Sequence, residues 1–135
     1  MRAVIQRVTQ AEVAIGGVRR AVIGRGLLVL LAAEEADGDD DVRWLSGKIA
    51  RLRIFADAAG KMNLAVGDVA GEALVVSQFT LFASTAQGNR PSFLRAARPE
   101  RAIPLYEGFV RRLEQDLGRS VATGEFGAES APAKR

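Results

Sequence analysis

An α+β domain, rich in strands and carrying two main helices, is what the 135 residues predict, on three observations. Gly16-Gly17 separates two short alternating runs, "AEVAI" and "VRRAVI", in the manner of a tight hairpin turn. The stretch "LLVLLAA", Leu27 to Ala33, is apolar without alternation, which marks a strand buried on both faces. Two later stretches, around Val42 and around Tyr106, repeat apolar residues at three- and four-residue spacing, as amphipathic helices do.

Taken in order, "RAVIQRV" at 2–8 places Ala3, Ile5 and Arg7 on one face and Val4, Gln6 and Val8 on the other, an imperfect strand alternation. With the hairpin and Leu27–Ala33 it reads as an N-terminal β-meander. Asp37, Asp39, Asp40 and Asp41 precede a helix whose apolar face is Val42, Leu45, Ile49 and Leu52. The acids suit the positive end of that helix, and Lys48 and Arg51 suit the other. An EF-hand loop would need its Gly and terminal Glu at fixed offsets, and these are missing. "RIF" and "DAAGKMN" follow, with Gly60 in the turn, then a loop through Gly67 and Gly71 to the strand "ALVVSQFTLF". From Pro99 to Gly118 the pattern is helical, with Tyr106, Phe109, Val110, Leu113 and Leu117 on one face, Pro104 expected in the first turn and Gly118 as C-cap. An extended "SVATGEF" completes a single domain over 1–128, and a polar tail over 129–135 is expected to be disordered.

Composition narrows the chemistry. At 48% apolar and 26% charged residues the chain is an ordinary globular one, and no apolar run approaches the roughly 20 residues that span a bilayer. The N-terminus alternates instead of forming a signal peptide, so a cytoplasmic protein with no membrane association is expected. There is neither His nor Cys. A Ser-His-Asp or Cys-His nucleophile is therefore excluded, as is a zinc site of the common N/S type; no metal and no cofactor are expected. Net charge is +3, but six of the 16 acids lie between Glu34 and Asp41, leaving 19 basic against 10 acidic residues elsewhere. That surplus of nine suits a phosphate-rich partner, and suits equally an ordinary solvated face.

The run "VVSQFTLF", Val75 to Phe82, spends three of its positions on polar side chains. Ser77 and Phe79 share one face of an extended chain, Gln78 and Thr80 the other. An edge strand would account for this, and so would a strand that ends at a pocket and offers its amides to developing negative charge. The pattern leaves both open.

Together, "RIFADAAGKMN" at 53–63, "VVSQFTL" at 75–81, "GNRPSF" at 88–93 and the opening "MRAVIQRV" resemble the D-aminoacyl-tRNA deacylase family, collinearly from Met1 to about Ala128, and Ser77-Gln78-Phe79-Thr80-Leu81 matches its signature at every position. The resemblance implies a compact β-rich fold with a barrel-like mixed sheet, working as a homodimer. It implies hydrolysis of the ester joining a D-amino acid to the 3′ end of tRNA, and of glycine mischarged on tRNA for alanine. Ser77, Gln78, Phe79 and Thr80 would form the catalytic strand, with backbone groups holding the reacting carbonyl and the 2′-hydroxyl of the terminal adenosine in place of a protein base. Arg7, Met62, Asn63, Arg90, Pro91, Ser92 and Phe93 would bind substrate and the tRNA acceptor end. Independently of the resemblance, Arg90, Arg95, Arg98 and Arg101 crowd one stretch after this strand and suit contact with the RNA backbone, although Arg90 would equally serve to anchor its loop. One departure matters. After "TGEFGA" the family continues into a strand and an Asn-x-Gly-Pro-Val segment whose Gly-cis-Pro reaches the partner's pocket and excludes L-amino acids. Here the chain reads "ESAPAKR", and none of its 14 glycines precedes a proline. A sheet edge is expected to lie open as a result. Besides a deacylase with relaxed chirality, two other readings fit: the same fold turned to another acyl substrate, or a non-catalytic protein that binds tRNA ends.

Overall fold

Strand β4 (Gly26–Ala32) organises the molecule, because its apolar residues point both ways and each set needs a cover. In the computed structural model, which describes residues 1–78, 81, 96–124 and 131–134, β4 lies between β1 (Arg2–Val8), antiparallel, and β7 (Glu72–Ser77), parallel. The two-residue β8 (Ala122–Thr123) adds in parallel to β7, giving a four-stranded mixed sheet in the order β1-β4-β7-β8. The hairpin of β2 (Ala11–Ile15) and β3 (Val18–Ile23) turns at Gly16 and Gly17, both at positive φ, and belongs to a second, three-stranded sheet. Strands β5 (Phe55–Ala56) and β6 (Met62–Leu64) form a small hairpin closed by Gly60 at φ +79°.

Alternation along β4 and β7 divides the core in two. Leu27, Val29 and Leu31 of β4 and Ala73 and Val75 of β7 pack with Val42, Ile49, Phe55, Tyr106, Phe109 and Leu113 under the helices. The intervening Leu28, Leu74 and Val76 pack with Val13 and Ile23 beneath the hairpin sheet. The result is three layers: two helices, the four-stranded sheet and the three-stranded sheet. The expected α+β class with two main helices is borne out, and the barrel-like character resolves into two sheets facing one another across a core.

Helix α1 (Asp39–Arg51) starts at Gly38, whose N–H donates to Asp41 Oδ2 at 2.9 Å, with three acids in the first turn and Lys48 and Arg51 in the last. Helix α2 (Pro99–Leu117) ends at Gly118 in the left-handed region, where a glycine costs least. The helices meet through a fully buried Ser46, whose hydroxyl donates to Asp116 Oδ2 at 2.7 Å. Tyr106 O–H donates to the Val75 carbonyl at 2.8 Å and fixes α2 over β7.

Four expectations need correction. The N-terminal strands are no simple meander: β1 bonds β4 and skips the hairpin, because β4 needs a neighbour on each edge. The loop through Gly67 contains a turn of 3₁₀ helix, Val66–Val69. Pro99, not Pro104, occupies the first turn of α2; Pro104 lies inside the helix and leaves the Glu100 carbonyl without its usual donor. The tail is not disordered throughout: Ala131–Lys134 forms β9, antiparallel to β2 from Ala14↔Ala131 to Ala11↔Lys134. An unpaired row of N–H and C=O groups on β2 is a ready template for such a strand, and the outer position tolerates Pro132, which has no N–H to donate. This edge of β2 is thereby paired.

Candidate active site

Polar residues gather at the two opposite ends of the four-stranded sheet. At the first, β7 runs out at Ser77 and Gln78. Ser77 continues the face of Ala73 and Val75 toward the helices and is half-buried; Gln78 is exposed. The Gln78 N–H already donates to the Leu31 carbonyl at 2.7 Å, extending the parallel ladder by one residue. Its carbonyl accepts from Leu81 N–H at 3.3 Å, and the Leu81 carbonyl accepts from the Arg2 guanidinium at 2.8 Å, which ties Gln78 and Leu81 to each other and to β1. The Gln78 amide is therefore committed to the ladder and does not serve as an oxyanion donor in this arrangement. Among the described residues no base is hydrogen-bonded to Ser77, which leaves its hydroxyl un-ionised at neutral pH and a poor nucleophile. Phe79, Thr80, Arg90, Pro91, Ser92, Phe93 and Arg95 lie outside the described residues.

Charge near this end is tightly paired. The Met1 ammonium and Asp37 Oδ1 are 2.8 Å apart with side chains only 2% and 7% exposed, and Asp37 Oδ2 accepts the Glu34 N–H at 2.8 Å. The Arg101 guanidinium donates to the Asp37 carbonyl, and the Arg98 N–H donates to Glu35. These bonds anchor the start of both helices to the chain that leaves β4.

The second end is open. A cleft of about 470 Å³ is lined by Gln6, Arg7, Val8, Thr9, Arg25, Phe55 and Ala56. That volume is within the range of small-ligand sites. Arg7 is exposed, and the Arg25 guanidinium stands 5.5 Å from the centre of the Phe55 ring. Among the described residues neither arginine has a carboxylate partner, so both charges are available to an anion. Met62, 60% exposed, sits opposite Ala56 in the β5–β6 hairpin beside the cleft. Asn63 is spent on the hairpin itself: its carbonyl accepts from Arg53 Nε at 3.0 Å and its side chain hydrogen-bonds Asp57. Asp57 also accepts the N–H groups of Lys61 and Ala59, which, led by Lys61, hold its carboxyl below the usual carboxylate range.

The structure thus brings Arg7 and Met62 toward one cleft, and keeps them apart from Ser77 and Gln78. Arg7 lies across from Leu27 and Ser77 across from Leu31, four residues along β4 or roughly 13 Å at the rise of a strand. Arg25 and Phe55 escaped sequence reasoning. The signal for Arg25 was its place between Gly24 and Gly26, where a turn carries a side chain past the end of a sheet.

Comparison with known proteins bears on what such a chain is. The family described as D-Tyr-tRNA(Tyr) deacylase matches residues 4–131. A D-aminoacyl-tRNA deacylase of Akkermansia muciniphila is 63% identical over 129 residues, covering 96% of this chain and 86% of the relative. One from Cytophaga hutchinsonii is 58% identical over the same shares. Among solved structures, the c-Myc DNA Unwinding Element Binding Protein superposes with a TM-score of 0.91 at 37% identity, over 100% of this chain and 91% of that one. A probable eukaryotic D-amino acid tRNA deacylase shares the fold, with a TM-score of 0.84 at 17% identity over 98% and 92%. With a match across nearly its whole length and relatives well above half identical, the chain belongs to the D-Tyr-tRNA(Tyr) deacylase family.

Proposed function

We propose that the chain hydrolyses the ester joining a D-amino acid to the 3′ end of tRNA, releasing the D-amino acid and free tRNA. The observation that carries this reading is the 63% identity to a D-aminoacyl-tRNA deacylase across 129 residues, a span that takes in the Ser77–Leu81 signature. The chemistry is compatible with what the chain can supply. An aminoacyl ester is already activated, so orientation and hydrogen bonding of the carbonyl carry much of the rate without His or Cys. Water adds to the ester carbonyl, the bond to the ribose 3′ oxygen breaks, and the neighbouring 2′-hydroxyl of the adenosine takes the part that a protein base would play.

The wide separation of Ser77 from Arg7 supports a homodimer. Two copies of the chain supply what one divides between its ends, the signature strand of one subunit meeting the arginine cleft of its partner. Arg7 and Arg25 then hold the RNA terminus, Met62 borders the same cleft, and Ser77, Gln78, Phe79 and Thr80 enclose the aminoacyl group. A cytoplasmic location follows from the substrate.

The test is side-by-side deacylation of D-Tyr-tRNA, L-Tyr-tRNA and Gly-tRNA, with Thr80→Ala as a control. The proposal expects the D-ester to be cleaved well above its spontaneous rate. Cleavage of the L-ester as well would show that this chain does not exclude L-amino acids, and no turnover of any substrate would overturn the proposal.

A further inference from the structure

The outward face of α1 is unlike the rest of the surface. At 3.6 residues per turn, Trp44, Lys48 and Arg51 share an exposed stripe, with Gly47 buried beneath Arg51, opposite the buried Val42, Ser46 and Ile49. Trp44 is 66% exposed, an unusual position for the only tryptophan of the chain. Lys48 Nζ stands 6.0 Å from its ring centre, at the outer limit of a cation–π contact, so the indole is not sequestered. Arg51 lies against Gly47; a Cβ there would come within 2.8 Å of the guanidinium, so the glycine lets the cation rest flat on the helix.

From this stripe the chain leads toward the cleft. Three residues after Arg51 separate the helix from Phe55, whose ring lines the cleft beneath Arg25. Arg53 is exposed and tied to the β5–β6 hairpin through the Asn63 carbonyl, and that hairpin presents Lys61. Among the described residues no carboxylate pairs with Lys48, Arg51, Arg53 or Lys61. The nearest acid in sequence, Asp57, has its carboxylate turned to the amides of Ala59 and Lys61. Four unneutralised cations and one exposed indole thus lie along the outer face of α1 and the segment that leads from it to the cleft.

We propose that these residues form the docking surface for the body of the tRNA. The phosphates of its acceptor arm lie along Lys48, Arg51, Arg53 and Lys61, and Trp44 stacks on an exposed base or ribose at the far end. A row of cations beside an aromatic face is the combination by which proteins hold nucleic acid without reading its sequence. The proposal rests on the deacylase reading for the identity of the RNA, and it adds where that RNA lies.

The experiment titrates the full chain with uncharged tRNA and follows Trp44 emission, while hydrolysis of D-Tyr-tRNA is measured separately. Saturable quenching that weakens with salt is expected. A Lys48→Gln, Arg51→Gln, Lys61→Gln variant with an unchanged melting temperature should lower the slope of log affinity against log salt by about 2 to 3, one unit or slightly less for each phosphate no longer neutralised. It should raise KM for D-Tyr-tRNA more than it lowers kcat, whereas Arg20→Gln on β3 should leave the slope as in the parent. Bound tRNA with unquenched Trp44, or a triple variant with the parental slope, would overturn the proposal. Quenching with the expected slope but no hydrolysis would uphold this surface and overturn the deacylase reading instead.

Discussion

The two ends of the four-stranded sheet are built on opposite principles. Among the described residues at the Ser77 end, backbone amides and buried charges are already paired: Gln78 N–H with the Leu31 carbonyl, Asp37 with the Met1 ammonium and the Glu34 N–H, the Arg98 N–H with Glu35. At the Arg7 end two guanidiniums face an open cleft, one of them over an aromatic ring. Burial explains the difference. Where helices and strands all begin or end beneath neighbouring chain, an unpaired group costs the full desolvation penalty, so pairing is enforced. Where the sheet meets solvent, charges can stay free for a ligand.

Substitutions should break this contrast in graded fashion. Asp37→Ala leaves a buried ammonium and the Glu34 N–H without their acceptor, and should cost about 3–5 kcal/mol of stability, read as a shift in the denaturant midpoint. A loss below about 1 kcal/mol would mean that water already reaches the pair. Tyr106→Phe, between the two ends, removes the hydroxyl that bonds the Val75 carbonyl at 2.8 Å and the Gly124 carbonyl at 3.3 Å, and should cost about 1–2 kcal/mol. Burial raises the Tyr106 hydroxyl to about 12 from its ordinary 10. The folded state therefore holds that proton more firmly than the unfolded chain, and the stability this provides is complete below pH 10 and lost as pH rises toward 12. The phenylalanine variant should lack this part of the alkaline decline; an unaltered pH profile would show that Tyr106 does not titrate there. Arg25→Ala should have the smallest effect on stability, within about 0.5 kcal/mol, since it gives up a single ring contact. Its deacylation of D-Tyr-tRNA should nevertheless fall by tenfold or more in kcat/KM. Parental activity in that variant would remove the cleft from the proposed site.

Much of this was legible beforehand where a local pattern had one physical meaning. The unbroken apolar run of β4, the paired glycines of the hairpin, the acids opening α1 and Gly118 closing α2 each specify their structure through short-range effects. What escaped depends on residues far apart in the chain. That β1 bonds β4, that Pro104 is carried inside a helix secured by Tyr106 and Phe109, and that Ala131–Lys134 pairs with β2 are settled by tertiary packing. For the candidate site, the family resemblance pointed to Ser77, Gln78, Arg7 and Met62. It could not show that Asn63 and Arg101 are occupied with structural bonds, or that Arg25 stands over Phe55, because those facts lie in three-dimensional neighbours.

The position of β4 has a consequence for synthesis. Its partner on one side, β1, is already made when it emerges, but Ser77 follows its register mate Leu31 by 46 residues. At ribosomal rates of about 5–20 residues per second, the most apolar strand waits roughly 2 to 9 s with one edge bare. During that interval the nascent chain depends on shielding from its neighbours, and arrival of β7 ends the exposure.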